Sequence, residues 1–479
     1  MNRRMILYIL GIILMIEAAF MALPLIVAAI YSERAGFSFL ATMVFALVAG
    51  FLLTLLRPKN KVLYAKDGFI AVALSWVVIS LVGAMPFTLS GEIPSYLDAV
   101  FESVSGFTTT GASIVPNVEL LSHCINFWRC FTHWLGGMGI LVFMLAIVPL
   151  SGGQSIHLLR AESPGPSVAK IVPKMRSSAG ILYLIYLGLT ILQVLFYLFG
   201  RMSLFDALCH AFATAGTGGF GIYVSSLGHY SAYLQGVTTV FMILFGMNFN
   251  FYFFLMMRKF GLAFKNSEIR CYLGIIALSV VVIAWNVASM FPSVFEAFHH
   301  SAFTVASIIT TTGFATVDFN LWPSLSKSIL VCLMVVGACA GSTGGGMKVS
   351  RLIILYKTAQ AELRRLVHPN TVKVLTIDGK RIGDESVRGV VAFLVLYLGV
   401  FVVSVLFLCL ENLDSATTVT AVLATLNNIG PGLGLVGPAG GYAMLCDLSK
   451  LVLTLDMLFG RLELFPMILM LLPSTWRKR

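Results

Sequence analysis

The chain has 479 residues, of which 58% are hydrophobic and 11% are charged, and its formal net charge is +11. A soluble globular protein carries about 25% charged residues, so too few charges remain here to cover a water-facing surface. The composition excludes a soluble enzyme, a secreted disulfide protein and a disordered chain, and it predicts a polytopic helical membrane protein. In such a protein the basic excess holds loops on the cytoplasmic side and does not indicate nucleic acid binding.

Apolar stretches of the length that a membrane helix needs, about 20 residues, recur along the whole chain. They lie at 5–31, 35–56, 68–91, 130–159, 177–200, 207–257, 271–295, 297–316, 328–347, 389–410, 415–446 and 448–474. The first is interpreted as a retained helix, because it is long enough to span and has no clear small-residue cleavage site. The stretch 207–257 is too long for one helix, and 297–316 ends in Thr-Thr-Thr-Gly, which does not suit an apolar helix.

The distribution of Lys and Arg predicts the orientation, because cytoplasmic loops carry the excess of basic residues. If Arg3 and Arg4 are cytoplasmic and ten helices alternate, the cytoplasmic segments hold 26 of the 32 Lys and Arg residues. Both termini are then cytoplasmic. Four outer connections are left that are apolar or rich in hydroxyls, and we predict that each of them dips back into the membrane.

These four connections resemble one another. They read ESVSGFTTTGAS (102–113), HAFATAGTGGFG (210–221), VASIITTTGFAT (305–316) and LATLNNIGPGLG (423–434). Aligned, they place Gly111, Gly218, Gly313 and Gly430 at one position. Similarity at a near-regular spacing indicates an internal repeat, whose unit is a helix, a short re-entrant helix, a Gly/Thr strand and a second helix.

The repeats predict the fold class and the domain boundaries. We expect an all-α polytopic membrane protein with four parallel helix–pore loop–helix repeats in a pseudo-fourfold arrangement around one pore, plus two extra N-terminal transmembrane helices. The extra helices take up residues 1–66, and the repeats take up 67–176, 177–265, 266–386 and 387–479. The third repeat contains a broken gate helix and a cytoplasmic linker.

The repeated segments have the chemistry of a cation path. Polar, non-helical backbone at membrane depth must line water or be buried in protein, and a ring of carbonyl oxygens can replace the hydration shell of a cation. The short helices, at roughly 97–107, 204–214, 297–308 and 415–426, would aim their partly negative C-terminal ends at the path. Asp98, Asp206, Glu296 and Asp414 lie near their starts and are interpreted as caps, with attraction of cations as the alternative role. Any one segment could instead be a loop that packs helices closely.

A glycine-rich segment and a membrane arginine are candidates for a gate. Gly341, Ser342, Thr343, Gly344, Gly345 and Gly346 form the segment. Three successive glycines at 344–346 should break the helix, because each costs about 1 kcal/mol relative to alanine. The segment is either a close helix contact or a loop that blocks the path and moves. Arg461 needs a partner or water, and it either forms a structural ion pair or restrains that loop beneath the filter.

The runs TTTGA, TGGF, TTTGF and NNIGPGLG resemble the four selectivity filters of the Trk/Ktr/HKT potassium transporter superfamily. WLGGMGI (134–140), GACAGSTGGGMKVSR (337–351) and FGRLELF (459–465) are similar to motifs of its TrkH-type membrane subunits. The resemblance implies a gated, homodimeric potassium-uptake subunit of the bacterial inner membrane. It also implies a cytosolic, nucleotide-binding ring of TrkA-type regulatory subunits as partner. In this superfamily glycine in the first filter, here Gly111, goes with preference for potassium over sodium.

The resemblance assigns the filter and the transported ion. The implied filter residues are Thr109, Thr110, Gly111, Gly216, Thr217, Gly218, Thr311, Thr312, Gly313, Asn428, Ile429 and Gly430. K⁺ is implied as the transported ion, bound at Thr110, Thr217, Thr312 and Ile429, and no covalently bound cofactor is expected. Because the second and fourth segments lack the Thr-Thr-Thr-Gly pattern, the oxygen ring is not fourfold symmetric.

The segment 348–388 is the predicted cytoplasmic piece, and its run TVKVLTIDGKRI (371–382) predicts a hairpin with an Asp-Gly turn. With SPGP (163–166) and the loop 258–270, it is either the landing surface of the regulatory ring or a purely anchoring basic segment.

Three other functions are compatible with a membrane protein. A sodium- or proton-coupled symporter of the same fold stays open as the alternative. A carrier with inverted repeats would place re-entrant segments on both sides of the membrane, whereas the charges place all four outside. An enzyme is not expected, because the histidines (His123, His133, His299 and His300) belong to different segments and no HExxH motif occurs.

Overall fold

The structure is a computed structural model, and it describes residues 2–58, 65–137, 175–368 and 375–476. These residues are mostly helical. The first half contains α1 (Arg3–Phe20), α2 (Ala22–Tyr31), α3 (Gly36–Thr54), α4 (Ala65–Leu89), α5 (Tyr96–Phe107), α6 (His123–Gly137), α7 (Met175–Phe199), α8 (Leu204–Ala215), α9 (Ala232–Gly246) and α10 (Phe249–Met256). The second half contains α11 (Phe260–Phe264), α12 (Ser267–Val287), α13 (Val294–Ile309), α14 (Ser324–Val336), α15 (Val349–Val367), β1 (Thr376–Ile377), β2 (Lys380–Arg381), α16 (Asp384–Leu408), α17 (Ser415–Leu426), α18 (Asp447–Arg461), α19 (Phe465–Leu471) and α20 (Pro473–Trp476).

Several helices are long and apolar enough to cross a membrane. Within the described ranges there are six: Arg3–Tyr31, Gly36–Thr54, Lys66–Leu89, Gly180–Phe199, Ser267–Met290 and Asp384–Glu411. A seventh is counted if α9 and α10, which meet at a 90° bend, form one span. The chain is therefore a multi-pass membrane protein, as predicted. The count of ten crossings stays a prediction, since part of 130–159 lies outside the described residues.

The first predicted span, 5–31, consists of two helices in series. α1 ends at Phe20 and α2 begins at Ala22. The interruption has a local cause, because Pro24 has no backbone N–H to donate to the carbonyl of Phe20. α1 packs closely on α3: a β-carbon at Gly11 would lie 2.7 Å from the carbonyl oxygen of Gly50. Glycine therefore permits the close approach of these two helices.

After α3, the same order of elements occurs four times. A long helix is followed by a short helix, a non-helical segment and another helix. The four sets are α4–α5–α6, α7–α8–α9, α12–α13–α14 and α16–α17–α18. The short helices α5, α8, α13 and α17 match the four predicted short helices to within a few residues, so their existence is confirmed. Their re-entrant placement in the membrane stays a prediction.

The predicted caps of these short helices are wrong in three cases. Ser95 caps α5 by accepting a hydrogen bond from the backbone N–H of Asp98. Asp98 thus lies in the first turn of α5, where its negative charge interacts favourably with the helix dipole, but Asp98 is not the cap. Asp206 and Glu296 stand in the same relation to the cap serines of α8 and α13. Asp414 does cap α17, because its side chain accepts from the backbone N–H of Thr417.

The predicted hairpin is present in the part of 371–382 that the structure describes. β1 pairs antiparallel with β2, with Thr376 opposite Arg381. Asp378 and Gly379 form the turn with φ of 49° and 74°, as a two-residue hairpin turn requires. The turn also contacts the start of α12, because Asp378 Oδ1 accepts a hydrogen bond from the backbone N–H of Ser267 at 3.0 Å. SPGP (163–166) lies outside the described residues.

Candidate functional site

The four segments that follow the short helices share one backbone conformation. In each segment the second and the fourth residue after the helix have positive φ. The first set is Thr109, Thr217, Thr311 and Asn428, with φ of 55°, 56°, 60° and 54°, and the second is Gly111, Gly219, Gly313 and Gly430, with φ of 79°, 81°, 84° and 96°. Non-glycine residues adopt positive φ rarely, so its recurrence at four matching positions marks a structural equivalence.

This equivalence corrects the predicted alignment by one residue. Gly219, and not Gly218, matches Gly111. Gly218 has to be glycine for another reason, because a β-carbon there would lie 2.3 Å from the ring of His133. In the corrected register Thr217 matches Thr109, and Gly218 matches Thr110. Gly216 also packs against α6, since its β-carbon would lie 2.2 Å from the carbonyl oxygen of His133.

The four segments contact one another in a closed cycle. Each positive-φ glycine lies against the carbonyl oxygen that precedes the matching glycine of the next segment. A β-carbon at Gly111, Gly219, Gly313 or Gly430 would lie 1.9, 1.9, 2.0 or 2.8 Å from the carbonyl oxygen of Gly218, Thr312, Ile429 or Thr110, respectively. No side chain fits at these positions without a shift of the neighbouring backbone. The cycle therefore brings four carbonyl oxygens to one level of the molecule.

The four positive-φ glycines also line a single cavity of about 330 Å³. Its other lining residues include Ser113 and Arg129. Gly218 is not among them, which agrees with the corrected register. The cavity thus lies directly against the cycle of segments.

Side chains hold the segments to each other and to the surrounding helices. In the first segment the hydroxyls of Thr108 and Thr110 are 2.8 Å apart, and the third segment repeats this contact at 2.7 Å. In the fourth, the Asn428 amide donates to Thr110 Oγ1 at 2.9 Å and to the carbonyl of Met457 at 2.9 Å. Asparagine therefore ties the fourth segment to the first.

The predicted break in the glycine-rich helix is confirmed, because α14 ends at Val336 and α15 begins at Val349. The intervening residues, 337–348, are called the broken-helix loop below. This loop packs on the third and fourth segments. The backbone N–H of Gly345 donates to Thr311 Oγ1 at 2.7 Å, and a β-carbon at Gly345 would lie 2.3 Å from the carbonyl oxygen of Asn427. Glycine is thus needed for the loop to approach the segments this closely.

The first half of the loop is held by the 90° bend between α9 and α10. The backbone N–H of Phe249 donates to the carbonyl of Gly341 at 3.0 Å. Glu268, at the start of α12, accepts a hydrogen bond from the backbone N–H of Ala340 at 2.6 Å. The other carboxylate oxygen accepts from the Asn248 amide at 3.3 Å. Sequence analysis missed Glu268, because nothing along the chain distinguishes it from the charges of 258–270.

The middle of the loop is held by Arg461, the last residue of α18. Its guanidinium donates to the carbonyl oxygen of Thr343 at 2.8 Å and to that of Gly136 at 2.6 Å. Ser342 hydrogen-bonds within the loop, to the carbonyl of Cys339 at 2.7 Å. Of the predicted gate residues, Arg461 and Thr343 are thus in direct contact.

Buried basic side chains lie at the end of the loop and in the first turn of α15. Lys348 is buried, has φ of 76°, and donates from Nζ to the carbonyl of Gly344. Arg351 pairs with Glu463 at 2.5 Å and lies over the ring of Phe393 at 4.0 Å. The loop is therefore fixed at its start, its middle and its end.

Comparison with known proteins decides the family. A model of the TrkH family, described as a cation transport protein, matches residues 35–477. The chain belongs to the TrkH family. The family resemblance inferred from the sequence motifs is thereby confirmed.

Relatives of the TrkH family match the chain over its full length. It is 37% identical over 487 residues to the Trk system potassium uptake protein TrkH of Salmonella typhimurium, with 100% of both chains covered. It is 31% identical over 483 residues to the Trk system potassium uptake protein TrkG of Escherichia coli, with 99% of both covered. The crystal structure of the potassium transporter TrkH from Vibrio parahaemolyticus superposes with a TM-score of 0.89 at 35% identity, and 100% of both chains is covered. These relatives are named as transport proteins and not as enzymes.

Proposed function

We propose that this chain is the ion-conducting transmembrane subunit of a gated potassium uptake system. The observation that carries the proposal is the closed cycle of four segments, which presents the carbonyl oxygens of Thr110, Gly218, Thr312 and Ile429 at one level. Carbonyl oxygens in a ring replace the water around a cation. Non-helical backbone at membrane depth is tolerated where it lines such a path.

The filter of this proposal uses the predicted residues in the corrected register. One K⁺ site is formed by the four carbonyls named above, so that Gly218 takes the place predicted for Thr217. Thr217 joins Thr109, Thr311 and Asn428 at the neighbouring level. The four repeats, with boundaries at 67–176, 177–265, 266–386 and 387–479, surround one pore in pseudo-fourfold arrangement. Residues 1–66 lie outside these repeats.

The gate of this proposal is the broken-helix loop with Arg461. The contact of Gly345 with Thr311 Oγ1 supports it, because a loop joined to a filter oxygen obstructs the path next to it. The two hydrogen bonds of Arg461 support a restraining role. Its positive charge beside the loop also opposes the passage of cations. The loop blocks conduction until it moves.

The assembly and the location are part of the same proposal. The chain forms a homodimer in a bacterial inner membrane, with both termini cytoplasmic, and it is controlled by a cytosolic nucleotide-binding ring of the TrkA type. The name "Trk system" carried by the relatives supports further subunits. The exposed Arg364, Arg365 and Arg381 support a cytoplasmic landing surface near α15 and the hairpin.

Flux measurements test the proposal. The purified protein is reconstituted in liposomes, and K⁺ and Na⁺ fluxes are measured with the regulatory ring and its nucleotide added or withheld. We expect K⁺ to pass faster than Na⁺, and the ring to change the rate without changing their ratio. Equal passage of both ions refutes the filter, and a rate that does not respond to the ring refutes the proposed regulation.

A sodium- or proton-coupled symporter of the same fold is the second candidate. The observation that favours it is Glu17 in α1, which is 4% exposed. Neither of its carboxyl oxygens has a hydrogen-bond partner within the part of the chain that the structure describes. An ionisable residue inside a membrane protein is a candidate proton carrier. Uphill K⁺ accumulation driven by a pH gradient, and abolished in Glu17→Gln, would establish symport.

A further inference from the structure

We infer that Glu102 and Arg129 are positioning residues that set ion preference by holding the first two filter segments in register. The inference rests on the proposed filter. The inference extends the proposed filter, because it assigns part of the ion selectivity to a charged pair that lies behind the carbonyl cycle.

The two side chains form a fully buried ion pair. Arg129 Nη2 lies 2.7 Å from Glu102 Oε1, and the side chains are 1% and 0% exposed. Arg129 Nε donates to the same oxygen at 2.8 Å. Glu102 belongs to the short helix α5, whereas Arg129 belongs to α6. The pair thus joins the helix before the first segment to the helix after it.

Glu102 holds the end of the first segment. Its Oε2 accepts a hydrogen bond from the backbone N–H of Ile114 at 2.9 Å, and its Oε1 accepts from Ser113 Oγ at 2.9 Å. Ser113 and Ile114 lie two and three residues after Gly111 in the sequence. Hydrogen bonds to an ionised carboxylate are about twice as strong as neutral ones. The carboxylate therefore fixes the backbone directly beside the carbonyl cycle.

Arg129 extends the same clamp to the second segment. Its Nη1 donates to the carbonyl oxygen of Gly221 at 3.3 Å, and its guanidinium lies 4.3 Å from the ring centre of Phe220. Its Nη2 donates to Ser113 Oγ at 3.2 Å. Because Phe220 follows Gly219 directly, one guanidinium contacts the ends of two adjacent segments.

The third and fourth segments are held by neutral groups. Ser307 donates to the carbonyl of Phe314 at 2.6 Å, and the Tyr442 hydroxyl donates to the carbonyl of Gly430 at 2.6 Å. The charged clamp is therefore a property of the first and second segments. The carbonyl positions of Thr110 and Gly218 depend on it.

Stability alone does not account for such a pair. A buried ion pair is often no more stabilising than well-packed apolar residues of the same volume, since removing both charges from water is costly. What the pair adds is fixed geometry. A tenfold change in ion preference corresponds to only about 1.4 kcal/mol, so a small displacement of one carbonyl is enough to produce it.

The chain offers a matched control for a test. Asp98 lies one turn before Glu102 on α5 and pairs with Lys450 Nζ at 2.7 Å. This second pair also joins α5 to a neighbouring helix, α18. None of its hydrogen bonds among the described residues goes to a filter segment. Glu102→Gln and Asp98→Asn make the same charge-to-amide change at the two positions.

The experiment compares K⁺ and Na⁺ flux of both variants and the wild type in liposomes. We expect Glu102→Gln to lower the K⁺-to-Na⁺ ratio about tenfold, and Asp98→Asn to leave the ratio within a factor of two. Arg129→Lys should lower it less than Arg129→Gln, because lysine keeps the charge but loses the fork of donors. If Glu102→Gln does not fold, Ser113→Ala, which removes the hydroxyl between the two charges, should lower the ratio severalfold.

An unchanged ratio in folded Glu102→Gln, or in Ser113→Ala where that variant replaces it, overturns the inference. An equal fall in Asp98→Asn also overturns it, since the effect would then be a general loosening of α5. A wild-type protein without K⁺ preference is a different outcome. It refutes the proposed function itself and removes the basis of the clamp.

Discussion

Arg461 connects the broken-helix loop to the end of α6, because one guanidinium donates to the carbonyl oxygens of both Thr343 and Gly136, at 2.8 and 2.6 Å. Both acceptors are backbone atoms. The contact therefore restrains the path of the chain and does not depend on the side chain of either partner. Moving the loop away from α18 requires at least the first of these hydrogen bonds to break.

In the proposed pore, removing this restraint should make it easier for the loop to leave the ion path. We expect Arg461→Ala to raise K⁺ flux in the absence of the regulatory ring and to leave the K⁺-to-Na⁺ ratio nearly intact. Arg461→Lys should give an intermediate flux, because lysine can reach one carbonyl but lacks the fork of donors. Flux and detergent melting temperature are measured on the same samples. A less stable protein with unaltered flux per folded molecule would mean that Arg461 has only a structural role.

The corrected filter register is tested by glycine substitution. Gly111→Ser and Gly219→Ser each place a side chain against a carbonyl oxygen of the cycle, at positions with φ of 79° and 81°. We expect both substitutions to lower the K⁺-to-Na⁺ flux ratio. A tenfold fall in this ratio corresponds to a change of about 1.4 kcal/mol in the preference of the carbonyl ring for K⁺. If only Gly111→Ser changes the ion ratio and Gly219→Ser folds normally, the register proposed for the second segment is wrong.

If the broken-helix loop is the gate, as proposed, shortening it should raise ion flux. Deletion within 340–345 removes the residues that contact Thr311, and an obstruction that is withdrawn raises flux without altering the filter. The expected result is a higher K⁺ flux without the regulatory ring and the same ion ratio. Lower or unchanged flux from a well-folded variant would favour a simple packing role for these glycines.

The anchor of the loop at Glu268 has a separate expected effect. Glu268→Gln weakens the charge-assisted hydrogen bond to the backbone N–H of Ala340, at a cost of roughly 1 kcal/mol. We expect a severalfold rise in flux without the regulatory ring and faster hydrogen exchange of the peptide that contains Ala340. The hairpin residue Asp378, which binds the adjacent Ser267, provides a comparison variant, Asp378→Asn, with a smaller effect. Unchanged exchange at Ala340 in Glu268→Gln would contradict this role.

A pH dependence is expected of Glu33, in the connection between the first two spans. Partial burial raises the pKa of this carboxyl, but hydrogen bonds from the backbone N–H groups of Cys124 and His123 outweigh it, so that the pKa lies below its usual value. Because the folded pKa is lowered, the carboxylate stabilises the fold above the unfolded pKa of about 4.3. This contribution is lost as pH falls through the folded pKa.

The measurement is the melting temperature of Glu33→Gln against the wild type. At pH 7 we expect a loss equivalent to about 1 kcal/mol, typical of a lost helix cap. Below the folded pKa the two proteins should melt together, since protonation has then weakened the hydrogen bonds that the wild-type carboxylate accepts. A difference that persists unchanged at low pH would assign the effect to packing.

The local parts of the fold were predictable because their causes are local. Apolar length predicts the spans, glycine content predicts the break after Val336, and Asp378-Gly379 predicts the hairpin. The true caps were also readable, since Ser95 and Asp98 have the spacing of a capping box. The same spacing precedes α8 and α13, so three of the four acidic residues lie one turn after a serine cap, whereas Asp414 is itself the cap of α17.

The parts that sequence analysis missed depend on residues far apart in the chain. Gly218 and Gly219 are the same residue type, and contacts with distant parts of the chain distinguish them. Gly218 lies against the ring of His133, whereas Gly219 lies against the carbonyl oxygen of Thr312. Glu268 lies 72 residues along the chain from Ala340, whose backbone N–H donates a hydrogen bond to it. No spacing rule connects such positions, because folding brings them together through the packing of whole helices.

The hydrogen bond from Gly345 N–H to Thr311 Oγ1 has a thermodynamic consequence for the proposed pore. A hydroxyl oxygen that accepts a hydrogen bond from this N–H has one lone pair fewer available to coordinate a cation. In the proposed pore, a cation that used Thr311 Oγ1 as a ligand would compete with the closed loop for the same atom. By linkage, each must weaken the other by the same factor. The concentration of permeant ion would thus act as an opening ligand of its own channel, with no separate sensor required.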